Sequence, residues 1–538
     1  MPVLTSYPGV YVEEIPSGVH NIVGVSTSST AFVDFFPQGP MGVPTQVNNF
    51  TQFQTIFGNL DQRSEASYGV MQFFLNGGQT AWIVRVAAGS PEPAQLTLDD
   101  TAAAATLTIT ASSPGVWGNN LQIGIDYNTK PAGLFNLVIR QVDVISKPTQ
   151  VLNSEVYRNL SMTATSSNYA IGVVNAVSAL VQLTDLGTGT LPATTGTDVI
   201  SPLSNPASTS YTAVADAAHP ANDGTVPDAT ALENGILTLD RLDPFIFNLL
   251  CLPAAVNLTS GGAPDAAGIA GVYANAAAFC ATKRAFLLVD IPAAITTVSS
   301  TGSAASPGVV NWVEALGSNG YDPDANSAIY FPRLQIPDPL NQGRLRNVAA
   351  SGTMAGIYAT TDANRGVWKS PAGIDAQVQG ASLAYVMNDT DSGTINSLGI
   401  NGLRNFKTYG NVSWGARTMQ GADQLTSQWA YVAVRRTALY LEESLFEGLK
   451  WVVFEPNDTP LWSQIRLNVT SFMQTLFRQG AFQGSSAASA YFVKCDSETT
   501  TQTDINSGVV NILVGFAPLQ PAEFVVLQIQ QMAGQAGS

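Results

Sequence analysis

Between residues 235 and 336 the chain alternates between continuous apolar runs and segments whose apolar residues follow helical spacing. The apolar runs read FIFNLLCLP, RAFLLVDIP and SAIYFPRLQI, and the segments between them read AAGIAGVYANAAAFCATK and GVVNWVEALGS. Strands that are apolar on both faces need helices on both sides of the sheet, a pattern typical of mostly parallel α/β proteins. The sequence therefore predicts an α/β core around a covered, mostly parallel sheet.

The region before this core divides into two parts of different character. Residues 21–87 contain the strand TSSTAFVDFF, the helix NNFTQFQTIFGNL and a further strand, Ala81–Val86. Residues 88–230 are rich in strand-forming runs and turns, and most of a polar connector, Thr184–Asn234, lies at their end. We therefore predict that residues 88–230 form a β-rich domain inserted into the α/β core.

The region after residue 380 predicts a further unit of helices and strands. One helix is expected over Gln428–Gly448 with the glycine as C-cap, and a strand over Trp451–Phe454. A second helix is expected to have Thr459 as N-cap and to stop at Gly480. The strands AYFVKCD and GVVNILVGFAP follow it.

Both ends of the chain predict short strands bounded by prolines and glycines. The first reads GVYVEEI, with Val10 and Val12 on one face and Tyr11 and Glu13 on the other. The second, FVVLQI (Phe524–Ile529), follows a proline-containing tether. A free apolar strand on a tether invites aggregation unless it has a partner. The two ends therefore raise the question of what they pair with.

These patterns together predict a multidomain protein of α+β or α/β class. The predicted parts are an N-terminal strand arm (1–20), the first part of the core (21–87), the inserted outer domain with its connector (88–230), the α/β core (231–380), a C-terminal α/β assembly domain (381–517) and a C-terminal strand arm (518–538).

Composition and charge indicate which kinds of molecule the chain is suited to bind. The net charge is −16 and only 12% of the 538 residues are charged. An acidic chain is a poor ligand for nucleic acids, and a shortage of charge is typical of the centres of large protein interfaces. The start of the chain lacks the pattern of a signal peptide, and no apolar run reaches the length of a membrane span. We therefore expect a protein that is made and kept in a cytoplasm, or released without signal-dependent secretion, and that does not insert directly into a membrane.

Residues for catalysis or for a cofactor do not form a recognisable constellation in the sequence. The two histidines, His20 and His219, lie in polar stretches without ligand spacing, and the P-loop, HExxH and GxSxG motifs are absent from the sequence. The three cysteines are scattered, which favours ordinary buried thiols. The segment YDPDANSAIY lacks the glycine and closing glutamate of a calcium loop. We expect no enzymatic activity, no cofactor and no metal.

Several long motifs, in order, resemble contractile tail sheath proteins. They read SYPGVYVEEIPSGVHNIVGVSTSSTAFV, SSPGVWGNNL, SEVYRNLSM, NVAASGTMAGIYATTDANRGVWKSPAG, INSLGINGLRNFKTYGNVSWGARTM and the C-terminal block from LYLEESLFEGLKWVVFE to PAEFVV. The resemblance covers both ends and the core, and it leaves mainly residues 88–230 loosely matched.

The resemblance implies a structural subunit of a contractile injection machine. Such subunits stack as six-fold rings around an inner tube, and the sheath contracts from an extended state to drive the tube through a target envelope. It implies that the chain's main partner is itself, as a helical homopolymer, together with the inner tail tube protein, baseplate proteins and tail terminator or cap proteins. Assembly is expected in the host cytoplasm, and a phage tail, an extracellular injection particle and a bacteriocin all remain open.

The resemblance also implies functional residues. Both arms add strands to the C-terminal-domain sheet of neighbouring subunits in this family, which assigns that role to Val10, Tyr11, Val12, Glu13, Phe524, Val525, Val526, Leu527 and Ile529. A helix of the C-terminal domain holds the tube, so Arg466 and Arg478 of the segment Thr459–Gln479 are candidates to face it. Pairing of these arginines within their own domain is an equally open interpretation. For the whole chain, an α/β enzyme with a surface insertion and a surface-layer or adhesin-like protein are the competing hypotheses.

Overall fold

The computed structural model describes residues 20–143, 149–215, 219–242, 246–298, 308–526 and 528. The N-terminal part of the core contains three strands and two helices. The strands are β1 (Thr30–Asp34), β2 (Thr45–Val47) and β3 (Ala81–Arg85), and the helices are α1 (Phe50–Phe57) and α2 (Glu65–Leu75). Each helix begins after a residue whose side chain accepts a backbone N–H hydrogen bond, Asn49 for α1 and Ser64 for α2.

The next segment forms two antiparallel sheets. Its elements are β4 (Gln95–Asp99), β5 (Ala105–Ala111), β6 (Leu121–Asp126), β7 (Phe135–Asp143), β8 (Gln150–Leu160), α3 (Ala170–Val177), β9 (Val181–Asp185) and β10 (Thr212–Ala213). The strand orders are β10-β6-β7-β8 and β4-β5-β9, and side chains from both sheets share one apolar cluster. Part of the expected polar connector is structured, because Val199 and Tyr211 pack against Val138 of β7. The domain boundaries at 88 and 230 stay a prediction.

The middle of the chain returns to alternating strands and helices. Its elements are α4 (Ala229–Thr238), β11 (Leu249–Cys251), β12 (Thr259–Ser260), β13 (Ala263–Pro264), α5 (Ala266–Lys283), β14 (Phe286–Val289), α6 (Val309–Ser318), β15 (Ser327–Phe331), β16 (Leu334–Pro337), β17 (Leu345–Val348) and α7 (Ser351–Arg365). β12 and β13 form a hairpin.

The last part contains both short and long elements. They are β18 (Ser382–Leu383), α8 (Asp389–Asn396), β19 (Ile400–Phe406), β20 (Gly410–Ser413), α9 (Val432–Gly448), α10 (Thr459–Arg478), α11 (Ala487–Ala490), β21 (Tyr491–Lys494), α12 (Gln502–Asn506) and β22 (Leu513–Phe516). β16 lies between β17 and β18 in a small antiparallel sheet, and β21 and β22 form a separate pair.

The central sheet has the strand order β2-β3-β1-β11-β14-β15-β19-β20. Every pair from β3 to β19 is parallel, and only the outer strands β2 and β20 are antiparallel to their neighbours. One face is covered by α4, α5 and α6 and the other by α1, α2 and α7, each with its own apolar cluster. The mostly parallel sheet predicted from the apolar runs is present. Because β19 and β20 complete it, the predicted domain boundary at residue 380 divides the sheet.

Helices α2 and α7 pack against each other through their backbones. A Cβ atom built on Gly352 would lie 2.3 Å from the carbonyl oxygen of Gly69, and one on Gly356 would lie 2.6 Å from that of Phe73. Only glycine leaves room for such an approach, since other Cβ atoms would overlap the facing backbone. These glycines of SGTMAGIY therefore fix how closely α7 lies on α2.

Carboxylates at the ends of two parallel strands cap these same helices. Asp34 of β1 accepts a hydrogen bond from the backbone N–H of Ala66 in α2 (2.7 Å). Asp290, just after β14, accepts bonds from the backbone N–H (2.9 Å) and hydroxyl (2.5 Å) of Ser351 in α7. Burial raises the pKa of Asp34 to about 7 and that of Asp290 to about 6. The helix termini are thus tied to the strand ends.

The predicted strand Trp451–Phe454 is wrong. Lys450–Val452 form a short 3₁₀ helix directly after α9, and Phe454 has a left-handed backbone (φ 70°). Trp451 and Val452 pack against the apolar cluster around α10. Tertiary packing therefore overrides the strand preference of this apolar run.

The predicted helix boundaries in this region also shift. α9 begins at Val432 rather than Gln428, because backbone groups of the preceding residues pair with an extended neighbour: Thr418 N–H donates to Ala430 (2.9 Å) and Val432 N–H to Ala416 (2.9 Å). The N-cap of α10 is Asp458 instead of Thr459, since its carboxylate accepts from the backbone N–H of Leu461 (3.1 Å). Thr459 is the first helical residue.

Candidate assembly surface

The two-stranded sheet near the C-terminus is the first part of the candidate surface. β21 and β22 pair from Tyr491 opposite Phe516 to Lys494 opposite Leu513. Among the residues that the structure describes, no third strand pairs with either of them. The outer edge of each strand therefore offers backbone N–H and C=O groups to an added strand.

Helix α10 supports this sheet from one side. Its apolar residues recur at spacings of three and four and lie on one buried face: Leu461, Trp462, Ile465, Val469, Phe472, Met473 and Leu476. The cluster that they form also contains the half-buried Val493 of β21 and Val514 of β22. Within the part of the chain that the structure describes, the sheet is therefore covered on one face only.

Apolar side chains remain exposed around the sheet. The exposed fraction is 49% for Phe492 in β21, 52% for Leu513 in β22 and 43% for Val509 just before it. Exposed apolar groups that lie close together mark interaction surfaces more often than isolated ones. Open edges and exposed apolar side chains thus coincide here.

The described strand residues of the C-terminal arm are exposed in the single chain. Phe524, Val525 and Val526 are 74–81% exposed and form no regular element. The other predicted arm residues, Leu527, Ile529, Val10, Tyr11, Val12 and Glu13, lie outside the described residues. Pairing of the arms therefore stays a prediction.

The base of the C-terminal arm is bound to the core through Glu523. Both carboxylate oxygens accept hydrogen bonds from the guanidinium of Arg417, at 2.9 and 2.8 Å. The amide of Asn396 (2.8 Å) and the hydroxyl of Tyr431 (3.2 Å) donate to the same carboxylate. Sequence reasoning did not single out these residues, although three of them occur in the sheath-like motifs INSLGING, WGARTM and PAEFVV. Their convergence is visible only in three dimensions.

The first described residues of the chain contact α9 and the residues just after it. The ring of His20 stacks on Trp451 with centroids 4.3 Å apart. The backbone N–H of Val25 donates to the hydroxyl of Ser444 (3.2 Å), and Arg436 donates to the carbonyl of Thr27 (2.8 Å). His20, which lies in a polar stretch of the sequence, is therefore in contact with a residue just after α9. The described chain thus begins, at His20, beside the end of α9.

Two charged residues of α9 are paired with residues of the α/β core instead of lying on the surface. Arg436 is buried and forms two hydrogen bonds with the carboxylate of Asp362 in α7, at 2.9 and 2.6 Å. Glu443 is buried and paired with Arg284. These pairs connect α9 to the α/β core, because an unpaired charge at such depth would be costly.

The two tube-facing candidates occupy different environments. Arg466 is half-buried and donates to the backbone carbonyl of Cys495 and to the hydroxyl of Ser463 (3.1 Å). Arg478 is exposed in the last turn of α10. The contact with Cys495 therefore supports pairing within the domain for Arg466. Arg478 is the more exposed of the two and the better candidate to face the tube.

Sites of a different kind are few in the described chain. Within the described ranges no group of His, Cys, Asp and Glu could hold a metal ion, and none of the helices there is long and apolar enough to cross a membrane. A cavity of about 670 Å³ lies between the arm base and the core, and it is lined by Trp368, Lys369, Trp414 and the tail residues 519–523.

Comparison of sequences places this surface in a known domain. Residues 424–532 match the model of the phage tail sheath C-terminal domain. The chain is 26% identical over 197 residues to a prophage major tail sheath protein of Pseudomonas aeruginosa, and 27% identical over 188 residues to the tail sheath protein of Vibrio phage KVP40. These alignments cover 36% and 34% of this chain. They span about half (48%) of the first relative and about a quarter (26%) of the second.

Comparison of structures extends the similarity to nearly the whole chain. The sheath of the extracellular contractile injection system PVC in its contracted state has a TM-score of 0.56 at 20% identity, over 98% of this chain and 99% of that one. The contracted helical sheath of the anti-feeding prophage has a TM-score of 0.54 at 22% identity, over 98% and 100%. A sheath tail protein of Listeria innocua has a TM-score of 0.56 at 12% identity, over 93% and 96%.

The similarities in fold and in sequence point to the same class of protein. The structural matches show that the mixed α/β fold is that of contractile sheath proteins, and the sequence matches confirm the predicted resemblance to the contractile tail sheath family. The matched family and relatives are structural sheath proteins rather than enzymes, in agreement with the prediction of no enzymatic activity.

Proposed function

We propose that this protein is the structural subunit of a contractile tail sheath. Copies of the chain polymerise as stacked six-fold rings around an inner tube. The observation that supports this proposal most directly is the two-stranded sheet β21–β22, whose open edges lie on the same chain as an exposed apolar arm. The match of residues 424–532 to the sheath C-terminal domain covers both features.

Strand addition would join the subunits. The arm residues Phe524 to Ile529, and the N-terminal strand Val10 to Glu13, would pair with the edges of β21 and β22 in neighbouring copies. Main-chain hydrogen bonds supply the pairing, and alternate side chains enter the neighbour's apolar surface. Burial of each Phe or Val side chain contributes about 1.5–3 kcal/mol. Since fixing a subunit costs on the order of 4–15 kcal/mol, several arm contacts per subunit are required.

Contraction would draw on stored free energy without a bound nucleotide. The extended sheath is metastable in this proposal, and contraction replaces small interfaces with larger ones. The arms keep the subunits connected during the rearrangement. Calorimetry of the assembled extended form should show an exothermic, irreversible transition, and a reversible transition would contradict stored energy.

Other partners follow from the position of a sheath. The inner tail tube protein lies within it, and we assign the exposed residues of α10, above all Arg478, to the tube-facing surface. Baseplate proteins and a tail terminator or cap protein lie at its two ends. Assembly takes place in the host cytoplasm, and the product is a phage tail or a released injection particle.

The arm proposal is tested by two truncations. Removal of residues 524–538 deletes the strand-forming residues but retains Glu523, so the chain should fold with unchanged thermal stability and fail to polymerise. Removal of residues 533–538 deletes only AGQAGS and should leave polymerisation intact. Electron microscopy distinguishes tubes from separate subunits. Tubes formed by the 524–538 deletion would show that strand donation by this arm is wrong.

A further inference from the structure

The position of Arg417 indicates a site built to hold a carboxylate. Its side chain is only 7% exposed, and a buried guanidinium needs negative charge and hydrogen-bond acceptors around it. One nitrogen, Nη1, donates to the carbonyls of Asn396 and Gly421 and to Asp423, at 2.7–3.0 Å. The other two, Nε and Nη2, point at the two oxygens of Glu523. This bidentate geometry is the strong form of an Arg–carboxylate pair.

The receptor for Glu523 is fixed to the central sheet. Asn401 of β19 is buried, and its side-chain oxygen accepts from the backbone N–H of Arg417 (2.7 Å). The amide nitrogen of the same side chain donates to the carbonyls of Arg417 (2.7 Å) and of Ile329 in β15 (3.1 Å). A force applied to Glu523 would therefore pass through Arg417 and Asn401 to two strands of the parallel sheet.

The chain before Glu523 spans two parts of the subunit. Ala517 donates its N–H to Ala490 (2.8 Å) and accepts from Gln483 (3.0 Å), so this end of the tether is tied to the region of β21 and β22. Residues 519–522 then run along the cavity of about 670 Å³ to the Arg417 site. Directly after Glu523 the side chains are at least 74% exposed. The change from a held to an exposed chain thus occurs at Glu523.

The charge of Glu523 is suited to this role. Burial alone would raise its pKa, but hydrogen bonds from Arg417 and Asn396 outweigh this effect and lower the pKa below its usual value. The carboxylate is therefore ionised at neutral pH. Tyr431 faces the same carboxylate, and Asp423 shares the guanidinium with it but is far more exposed.

From this geometry we infer that Glu523 is the anchor of the C-terminal arm, held on its own subunit by Arg417, Asn396 and Tyr431. The inference rests on the proposed strand donation and adds to it the residue after which the donated strand begins. Residues 517–523 stay on the parent subunit, and only the residues after Glu523 extend to the neighbouring copy. The anchor limits the reach and direction of the arm and connects each donated strand to the parallel sheet of the donor.

Mobility of the arm in the unassembled full-length chain tests the anchor. A spin label at Val525→Cys lies two residues after Glu523, and labelling is selective because Cys251, Cys280 and Cys495 are buried. Glu523→Gln removes the charge while keeping the side-chain shape. We expect it to shift the equilibrium towards a released, mobile label about tenfold or more, because a charge-assisted bidentate pair is lost. The matched control is Glu498→Gln, on a 79% exposed side chain, which should change nothing.

A second variant and the truncation keep the outcomes separate. Asn396→Ala removes one donor to the carboxylate and should give a smaller increase in label mobility than Glu523→Gln. Unchanged mobility in both variants, with an unchanged melting temperature, would overturn the anchor. The proposed strand donation is judged by polymerisation of the 524–538 deletion, in which Glu523 and its receptor remain. Failure of the strand donation would therefore be seen in polymerisation, whereas failure of the anchor would be seen in label mobility.

Discussion

The central sheet and the small sheet β21–β22 differ in how completely one chain covers them. Strands β1, β3, β11, β14 and β15 are buried along their whole length, with helices on both faces. β21 alternates between half-buried and exposed residues, and β22 has no fully buried residue. The first sheet is complete within the subunit, whereas the second has edges and apolar side chains for which the described chain offers no cover. We therefore expect changes in the core to alter folding and changes in the small sheet, the arms or α10 to alter assembly.

The largest effect on folding is expected from Asp362→Ala, in the core near α9. The substitution leaves the guanidinium of Arg436, only 3% exposed, without its carboxylate partner. Removal of one partner of a buried pair destabilises a protein by about 3–5 kcal/mol. Urea denaturation should show this loss in the free energy of unfolding.

The control for this variant is Asp389→Ala. Asp389 is paired with Arg404 at 2.7 Å, but its side chain is 94% exposed, so the expected loss is about 0–1 kcal/mol. Similar losses for the two variants would contradict the view that the buried pair joins α9 to the core.

A smaller effect is expected for the pH dependence of stability. Burial raises the pKa of Asp290 from its usual value of 3.8 to about 6, so the folded chain holds this proton more tightly than the unfolded chain. The contribution of Asp290 is therefore fully present below pH 3.8 and is lost as the pH rises to about 6. Asp290→Asn removes the titration, and its amide can still accept from the Ser351 N–H and donate to the Ser351 hydroxyl.

The measurement compares free energies of unfolding at several pH values between about 4 and 7. The curve of Asp290→Asn should be flatter than that of the unsubstituted chain, with a remaining slope from Asp34, whose pKa is raised to about 7. Asp322→Asn, at an exposed loop position, serves as the control and should leave the slope unchanged. Parallel curves for Asp290→Asn and the unsubstituted chain would show that this carboxyl does not titrate differently in the two states.

The difference between the two sheets also explains what the sequence could predict. The parallel sheet was predictable because strands that are buried on both faces have continuous apolar sequences, such as FLLV and SAIYF. The same rule failed at Trp451–Phe454, where only Trp451 and Val452 pack against the cluster around α10, Val453 and Phe454 are exposed, and no strand forms. At this segment the apolar run therefore predicts neither the backbone conformation nor the burial of each residue.

Contacts between distant residues were not predictable from one sequence. The burial of Arg436 and Glu443 in α9 depends on Asp362 and Arg284, which are far away in the chain. The same holds for Glu523, which is 106 residues from Arg417. The family resemblance predicted the class of protein and named the arms, but the anchor of the arm depends on three-dimensional convergence.

The smallest effect on folding, and a specific effect on assembly, is expected from Arg478→Glu. Arg478 is exposed, and a surface substitution of this kind changes the free energy of unfolding by about 0.5 kcal/mol or less. If α10 faces the tube, reversal of this charge should reduce co-assembly with the inner tube protein while the arms still join sheath subunits to each other. Lys407→Glu, an equal charge reversal in the exposed turn between β19 and β20, is the control. If equal amounts of tube protein are recovered with both variants, Arg478 is not part of the tube-facing surface. The parts of the C-terminal region assigned to assembly would then be the open sheet β21–β22 and the arms.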